Sequence, residues 1–189
     1  MFKRWRECGV TVLILSLCVG GHSASEDYDL KVNVARQGEV FKTDASFRLP
    51  LNLCQAYRFI TDYDAATQIP GVQSSQTTRL DKQRVRVERV LREQILFFPI
   101  EMRMLLEFTE YPRKGTDFVQ ISGQAKSYQG SWRLESDGGS TVFIYQTQSE
   151  PDSAMPGAVV EYFIKHRLRK SFEVMTIVGA ARAAQPCER

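Results

Sequence analysis

Polar and apolar residues alternate along most of the chain, and where the alternation stops a helical period replaces it. Ile100, Met102, Met104, Leu106 and Phe108 occupy every second position, while Glu101, Arg103 and Glu107 fill the opposite face. A strand with one apolar and one solvated face is written this way, and such faces are typical of antiparallel sheets. The preceding segment, Arg84 to Phe98, sets Val85, Val87, Leu91, Ile95 and Phe97 on odd positions. Val90, Leu96 and Phe98 break that rhythm, as at a bulge or strand end, and Pro99 separates the two strands. Further strands are predicted over 118–125, 131–135 and 141–148, with turns at Arg113-Lys114-Gly115, Gln129-Gly130 and Asp137-Gly138-Gly139. Upstream, residues 26–49 read as two extended runs broken at Gln37-Gly38, the first carrying Tyr28, Leu30, Val32 and Val34. Strands at hairpin spacing leave no room for crossover helices, which excludes a parallel α/β sheet.

Two stretches carry the helical period instead. After Pro50, Leu53, Tyr57 and Ile60 share a face, which predicts a short helix within residues 51–60. Asp62 or Asp64 is placed to cap a second short helix, closed by a turn at Pro70-Gly71. Beyond Pro151 and Pro156, the chain from Gly157 to about Arg182 has no proline. Val160, Ile164, Leu168, Phe172, Met175 and Val178 recur there at three- and four-residue steps, with Glu161, Lys165, Arg169, Lys170 and Glu173 on the other side. A long helix with one apolar face must cover a matching surface, and the apolar face of the sheet is the candidate. The order implies an α+β domain: a curved antiparallel sheet, two short helices and a long C-terminal helix.

The start of the chain departs from this pattern. Lys3, Arg4 and Arg6 precede the apolar run Val10–Val19, and small or polar residues from Gly20 to Ser25 follow. This is the order of a secretory signal peptide, expected over residues 1–24 with cleavage after Ser23 or Ala24, leaving residues 25–189 as the folded domain. The expected location is therefore periplasmic or secreted. The run is shorter than the roughly 20 residues of a transmembrane helix. An uncleaved N-terminal anchor is the alternative, and a lipoprotein reading would use Cys18, where Leu17 is bulky for that processing. The formal net charge of +3 falls to +1 once Lys3, Arg4, Arg6 and Glu7 are removed, so there is no concentrated basic face of the kind nucleic acid requires. Cys8 and Cys18 leave with the peptide. Cys54 and Cys187 remain, either as two free thiols or as a bridge closing nearly the whole mature chain. Two cysteines and the single remaining histidine, His166, make no metal-site pattern, and no cofactor is called for.

Ile60-Thr61-Asp62-Tyr63-Asp64 followed by Ile69-Pro70-Gly71-Val72 resembles a segment of the START-like (SRPBCC, Bet v 1-like) superfamily, in its coenzyme Q-binding and polyketide cyclase/dehydrase branch. Gly130-Ser131-Trp132-Arg133-Leu134 with Gly139-Ser140-Thr141 is similar to a strand pair of that branch, and Leu96-Phe97-Phe98-Pro99 to its apolar strand turn. The resemblance spans roughly residues 28–182. It implies the helix-grip fold and an apolar cavity between the long helix and the sheet. Residues fitted to wall such a cavity are Met102, Met104, Leu106, Phe108, Trp132, Leu134, Phe163, Ile164, Leu168 and Met175. Methionine suits an adaptable apolar pocket, although each of these types is also an ordinary core residue.

Catalytic signals are sparse. There is no Gly-x-Ser-x-Gly elbow and no Cys/His pair at a recognisable spacing. Asp62 and Asp64 read as helix caps rather than an acid/base pair, and His166 as a solvated residue. Glu93, Glu107, Tyr128 and Tyr145 are the residues that could line the cavity and move protons. The reading that follows is a carrier, chaperone or sensor for a hydrophobic small molecule, lipid-like or aromatic. A cyclase/dehydrase acting in the same cavity is the alternative, and an interaction module with a filled core a second one. The basic run 165–170 could also hold the protein briefly at an anionic membrane surface.

Overall fold

The computed structural model of the chain describes residues 28–95, 98–152 and 157–187. The segment expected to be a signal peptide, residues 1–24, lies outside the described residues, as does the Leu96-Phe97 step. A hairpin of β1 (Lys31–Gln37) and β2 (Val40–Leu49) comes first, turning at Gly38. Helix α1 (Leu53–Thr61) and a 3₁₀ turn (Asp64–Gln68) follow. Six strands then run in succession: β3 (Val72–Arg79), β4 (Arg84–Ile95), β5 (Phe98–Tyr111), β6 (Gly115–Gly123), β7 (Ala125–Asp137) and β8 (Ser140–Pro151). Helix α2 (Gly157–Ala180) ends the fold. All eight strands form one antiparallel sheet in the order β1-β2-β8-β7-β6-β5-β4-β3, so the first hairpin closes onto the last strand. This is the helix-grip architecture, with α2 held across the inner face of the sheet.

The two periodicities predict these elements because each is a local consequence of burying one face. Val85 and Val87 on β4, Leu106 and Phe108 on β5, and Phe143 and Tyr145 on β8 are all buried, while their odd-even neighbours point out. Phe47 is the centre of the core. Its ring stacks on Phe143 at 4.8 Å and 10°, meets Trp132 edge-on at 6.1 Å, and lies 6.0 Å from Phe172 of α2. Helix α1 starts where it does because Asn52 and Gln55 form a capping box. Gln55 N–H donates to Asn52 Oδ1 at 3.0 Å, and Asn52 N–H donates to Gln55 Oε1 at 2.9 Å.

Three local expectations are corrected. Neither Asp62 nor Asp64 caps the 3₁₀ turn: Asp62 pairs with Arg182 at 2.8 Å, and Asp64 accepts a hydrogen bond from Thr77 Oγ1 at 2.6 Å. Gln129-Gly130 is no turn but the middle of β7, where Gly130 pairs with Phe118 and Thr147 on the strands either side. A Cβ there would run into Gln146 O and the Thr147 side chain, so this glycine serves close approach, not reversal. Pro99 falls inside β5, opposite Gln94, near the strand's start where a missing N–H is tolerated. The irregularity expected near Val90 does occur at that level of the sheet, but the extra residue is on β3, between Val72 and Ser74.

Cys54, in the first turn of α1, is bonded to Cys187, beyond the end of α2. The tail is also held by Gln55 Nε2, which donates to the carbonyls of Ala183 and Gln185 at 2.9 and 2.8 Å, and by Arg58, which donates to Pro186 O at 3.1 Å. No helix of the described residues is long and apolar enough to cross a membrane.

Candidate functional site

Between α2 and the sheet lies a cavity of about 600 Å³. Small-molecule sites run from roughly 300 to 1,000 Å³, so the space is large enough for a ligand and too large to be a packing defect. From β5 come Met102, Met104, Leu106 and Phe108; from β7, Trp132; from α2, Phe163, Ile164, Leu168 and Met175. Of the ten residues fitted to the wall by sequence, only Leu134 is elsewhere. It faces inward like Trp132, but one pleat further along β7, opposite Phe143, where α1 packs on that strand and closes the core. Exposed Glu101, Gln124 and Asp152 mark where the cavity meets solvent. The core is therefore not filled, contrary to what the interaction-module reading requires.

The charged groups on the wall are arranged rather than scattered. Glu93 of β4 forms an ion pair with Arg167 of α2, both largely shielded, and this joins the long helix to the sheet. The pair lies against Gly71, whose φ of +82° and missing Cβ leave it the space: a side chain there would strike Glu93 and Arg167. Asp62 and Arg182 make the second bridge, and Arg182 also lies 5.3 Å from the Phe59 ring centre. Tyr63 lines the cavity with its ring and donates its hydroxyl to the buried Glu110 at 3.1 Å. Arg79 donates to the same carboxylate through two nitrogens, at 3.0 and 3.2 Å. Glu107 faces away from the cavity, on the outer side of the sheet, where it pairs with Arg86 at 3.1 Å. His166 is exposed, with its ring against Tyr162.

Among the polar wall residues that sequence reading missed, Arg89 stands apart from the paired Arg167 and Arg182. It sits on β4 at the odd parity of Val85, Val87, Leu91 and Glu93, and β4 carries no extra residue that would turn it outward. The strand's alternation thus held the signal. Arg89 lines the cavity wall, and among the described residues its hydrogen bond is a long contact of 3.4 Å from Nε to Ser75 Oγ. Burial lowers its pKa, and the nearby Tyr128, Tyr145 and Tyr63 act in the opposite direction. It remains a cation, since arginine does not deprotonate in proteins. Tyr128 and Tyr145, also on the wall, share a hydrogen bond of 2.7 Å between their hydroxyls. Burial pushes both phenols up, and burial with the Glu110 carboxylate does the same to Tyr63.

These shifts give a pH prediction. A phenol whose folded pKa is raised contributes stability that is complete below the unfolded value of about 10 and is lost as pH rises above it. The protein is therefore expected to unfold on the alkaline side, with Tyr63, Tyr128 and Tyr145 ionising together with loss of structure. An ultraviolet phenolate titration run beside circular dichroism checks this. Full reversible ionisation of every tyrosine with the fold intact would contradict it.

Residues 49–175 match the family model described as "Polyketide cyclase / dehydrase and lipid transport". Solved structures share the fold. A Streptomyces aromatase/cyclase aligns with a TM-score of 0.65 at 8% identity, covering 77% of this chain and 97% of its own. A STAR-related lipid transfer protein from Xanthomonas axonopodis gives 0.63 at 12%, covering 78% and 98%. A START superfamily protein from Mycobacterium smegmatis gives 0.59 at 12%, covering 76% and 97%. At these identities the likeness speaks for the fold alone. No curated protein matches the chain in sequence.

Proposed function

The chain belongs to the polyketide cyclase / dehydrase and lipid transport family, and from that premise we propose that it is an exported carrier, holding a hydrophobic small molecule in the cavity beneath α2. The observation that carries the reading is the cavity of about 600 Å³, walled mainly by methionine, leucine, isoleucine and aromatic side chains with few polar groups among them. Burial raises the pKa of the Tyr128 and Tyr145 phenols further from 7 and keeps both protonated, so neither is poised to exchange a proton near pH 7. Export is supported by the basic and apolar order of residues 1–24 and by the Cys54–Cys187 bridge, which suits an oxidising compartment. The exposed side of α2 carries Lys165, His166, Arg169 and Lys170 beside the exposed Tyr162. That face supports brief contact with an anionic membrane during exchange of cargo.

A cyclase-type enzyme is the second reading, favoured by one observation: Arg89 and two tyrosine hydroxyls converge on the cavity, where such donors could polarise a carbonyl.

Native mass spectrometry of the mature protein from its own compartment, followed by organic extraction, tests the carrier. The expected result is a copurifying apolar molecule at near-equal stoichiometry. A clean apo mass, together with turnover of an added polyketone, would replace the carrier with the enzyme.

A further inference from the structure

Among the described residues Arg89 has no counter-ion, on a cavity wall where an unpaired cation is costly. Its side chain is half-buried and lines the cavity, and Ser75 Oγ at 3.4 Å is too distant to satisfy a guanidinium with five N–H donors. The anions on the cavity wall are accounted for among the described residues. Glu93 is held by Arg167, Asp62 by Arg182 and Glu101 by Arg92 and Arg103, while Asp152 is exposed at the rim. The other cations on the wall, Arg167 and Arg182, are those same partners. An unpaired charge in an apolar enclosure is destabilising, and a chain that keeps one gains nothing from it until a partner arrives.

We infer that the partner comes with the cargo: the cavity takes an amphipathic acid, whose single oxyanion pairs with Arg89 while its apolar body lies along the methionine and aromatic wall. This rests on the carrier reading and narrows it to a ligand class. A guanidinium presents parallel N–H donors that match the two oxygens of a carboxylate. Tyr128 and Tyr145, coupled to each other at 2.7 Å and lying within electrostatic range of Arg89, supply neutral hydroxyls near the same head group. The single positive charge sets the preferred ligand charge at one. A neutral lipid would leave Arg89 unpaired and dry, and a zwitterion would bring a cation toward it.

The test is displacement of a polarity-sensitive dye by dodecanoate and by dodecanol at neutral pH, on the wild type and on Arg89→Gln and Arg89→Lys. A charged hydrogen-bonded pair is worth enough to make the acid bind about tenfold or more tightly than the alcohol in the wild type. In R89Q that difference is expected to collapse, and in R89K to survive in part. If the wild type binds the alcohol as well as the acid, or if R89Q keeps the preference, the inference is overturned while the carrier reading stands. If neither probe displaces the dye, the carrier reading falls and takes this one with it. The wild-type comparison decides even if R89Q fails to fold.

Discussion

Replacing Cys54 by alanine is expected to lower the melting midpoint by roughly 10–20 °C, and reduction of the wild type to do the same. The bridge spans 133 residues of sequence, so it removes much of the conformational freedom of the unfolded chain. The chain-entropy account gives about 5 kcal/mol for a loop of that size, and for a domain of this length each kcal/mol moves the midpoint by about 2–4 °C. Local structure softens the loss only slightly. Gln55 and Arg58 would still hold the tail through Ala183, Gln185 and Pro186, but three hydrogen bonds, two of them exposed, recover little once the covalent tether is gone. Thermal unfolding of C54A against the oxidised and reduced wild type measures the effect. Midpoints within a degree or two of one another would show that the tether constrains nothing that the unfolded chain explores.

Phe47→Ala is expected to cost about 3–5 kcal/mol, the range for emptying a fully buried aromatic site. Phe47 is 1% exposed and touches every layer of the core: Phe143 on the neighbouring strand, Trp132 across the sheet and Phe172 on α2. The ring pairs add about 0.5–1.5 kcal/mol each to what burial alone supplies. Because domains are stable by only about 5–15 kcal/mol, this change and C54A together should remove most of the stability of a domain in the middle of that range. Val119→Ala is the control. Val119 is 46% exposed on β6, and truncation there should stay within about 0.5 kcal/mol of zero. Denaturant midpoints for the two variants check the contrast. Equal losses, or a Phe47→Ala cost below about 1 kcal/mol, would mean that the stacked cluster is not what holds α2 to the sheet.

The reach of the sequence follows from the range of the forces involved. Period-two stretches such as 100–108 and the period of 3.6 after Gly157 are set by which residues must face a core, and that information is local. It predicts both the sheet and the gripping helix, and nine of the ten residues it fitted to the cavity wall line the cavity, while others there, such as Phe118, Phe172 and Val178, were not singled out for it. Glycine shows where local reading stops. Gly38 is a hairpin turn, as its sequence suggests, whereas Gly130 looks the same and instead makes room between strands that meet only after folding. Charge shows it again. Glu93, Glu107 and Arg89 are all charged residues on strands, yet pairing across the fold puts Glu93 under Arg167, turns Glu107 outward to Arg86 and leaves Arg89 facing the cavity without a carboxylate. The sequence by itself thus determined the element order, the antiparallel sheet and the apolar identity of the enclosed surface, because burial of one face repeats at every second or fourth residue. Only the tertiary structure decided that Cys54 and Cys187 meet, which glycine is an approach and which wall cation has no carboxylate among the described residues, because each depends on distances between residues far apart in the chain.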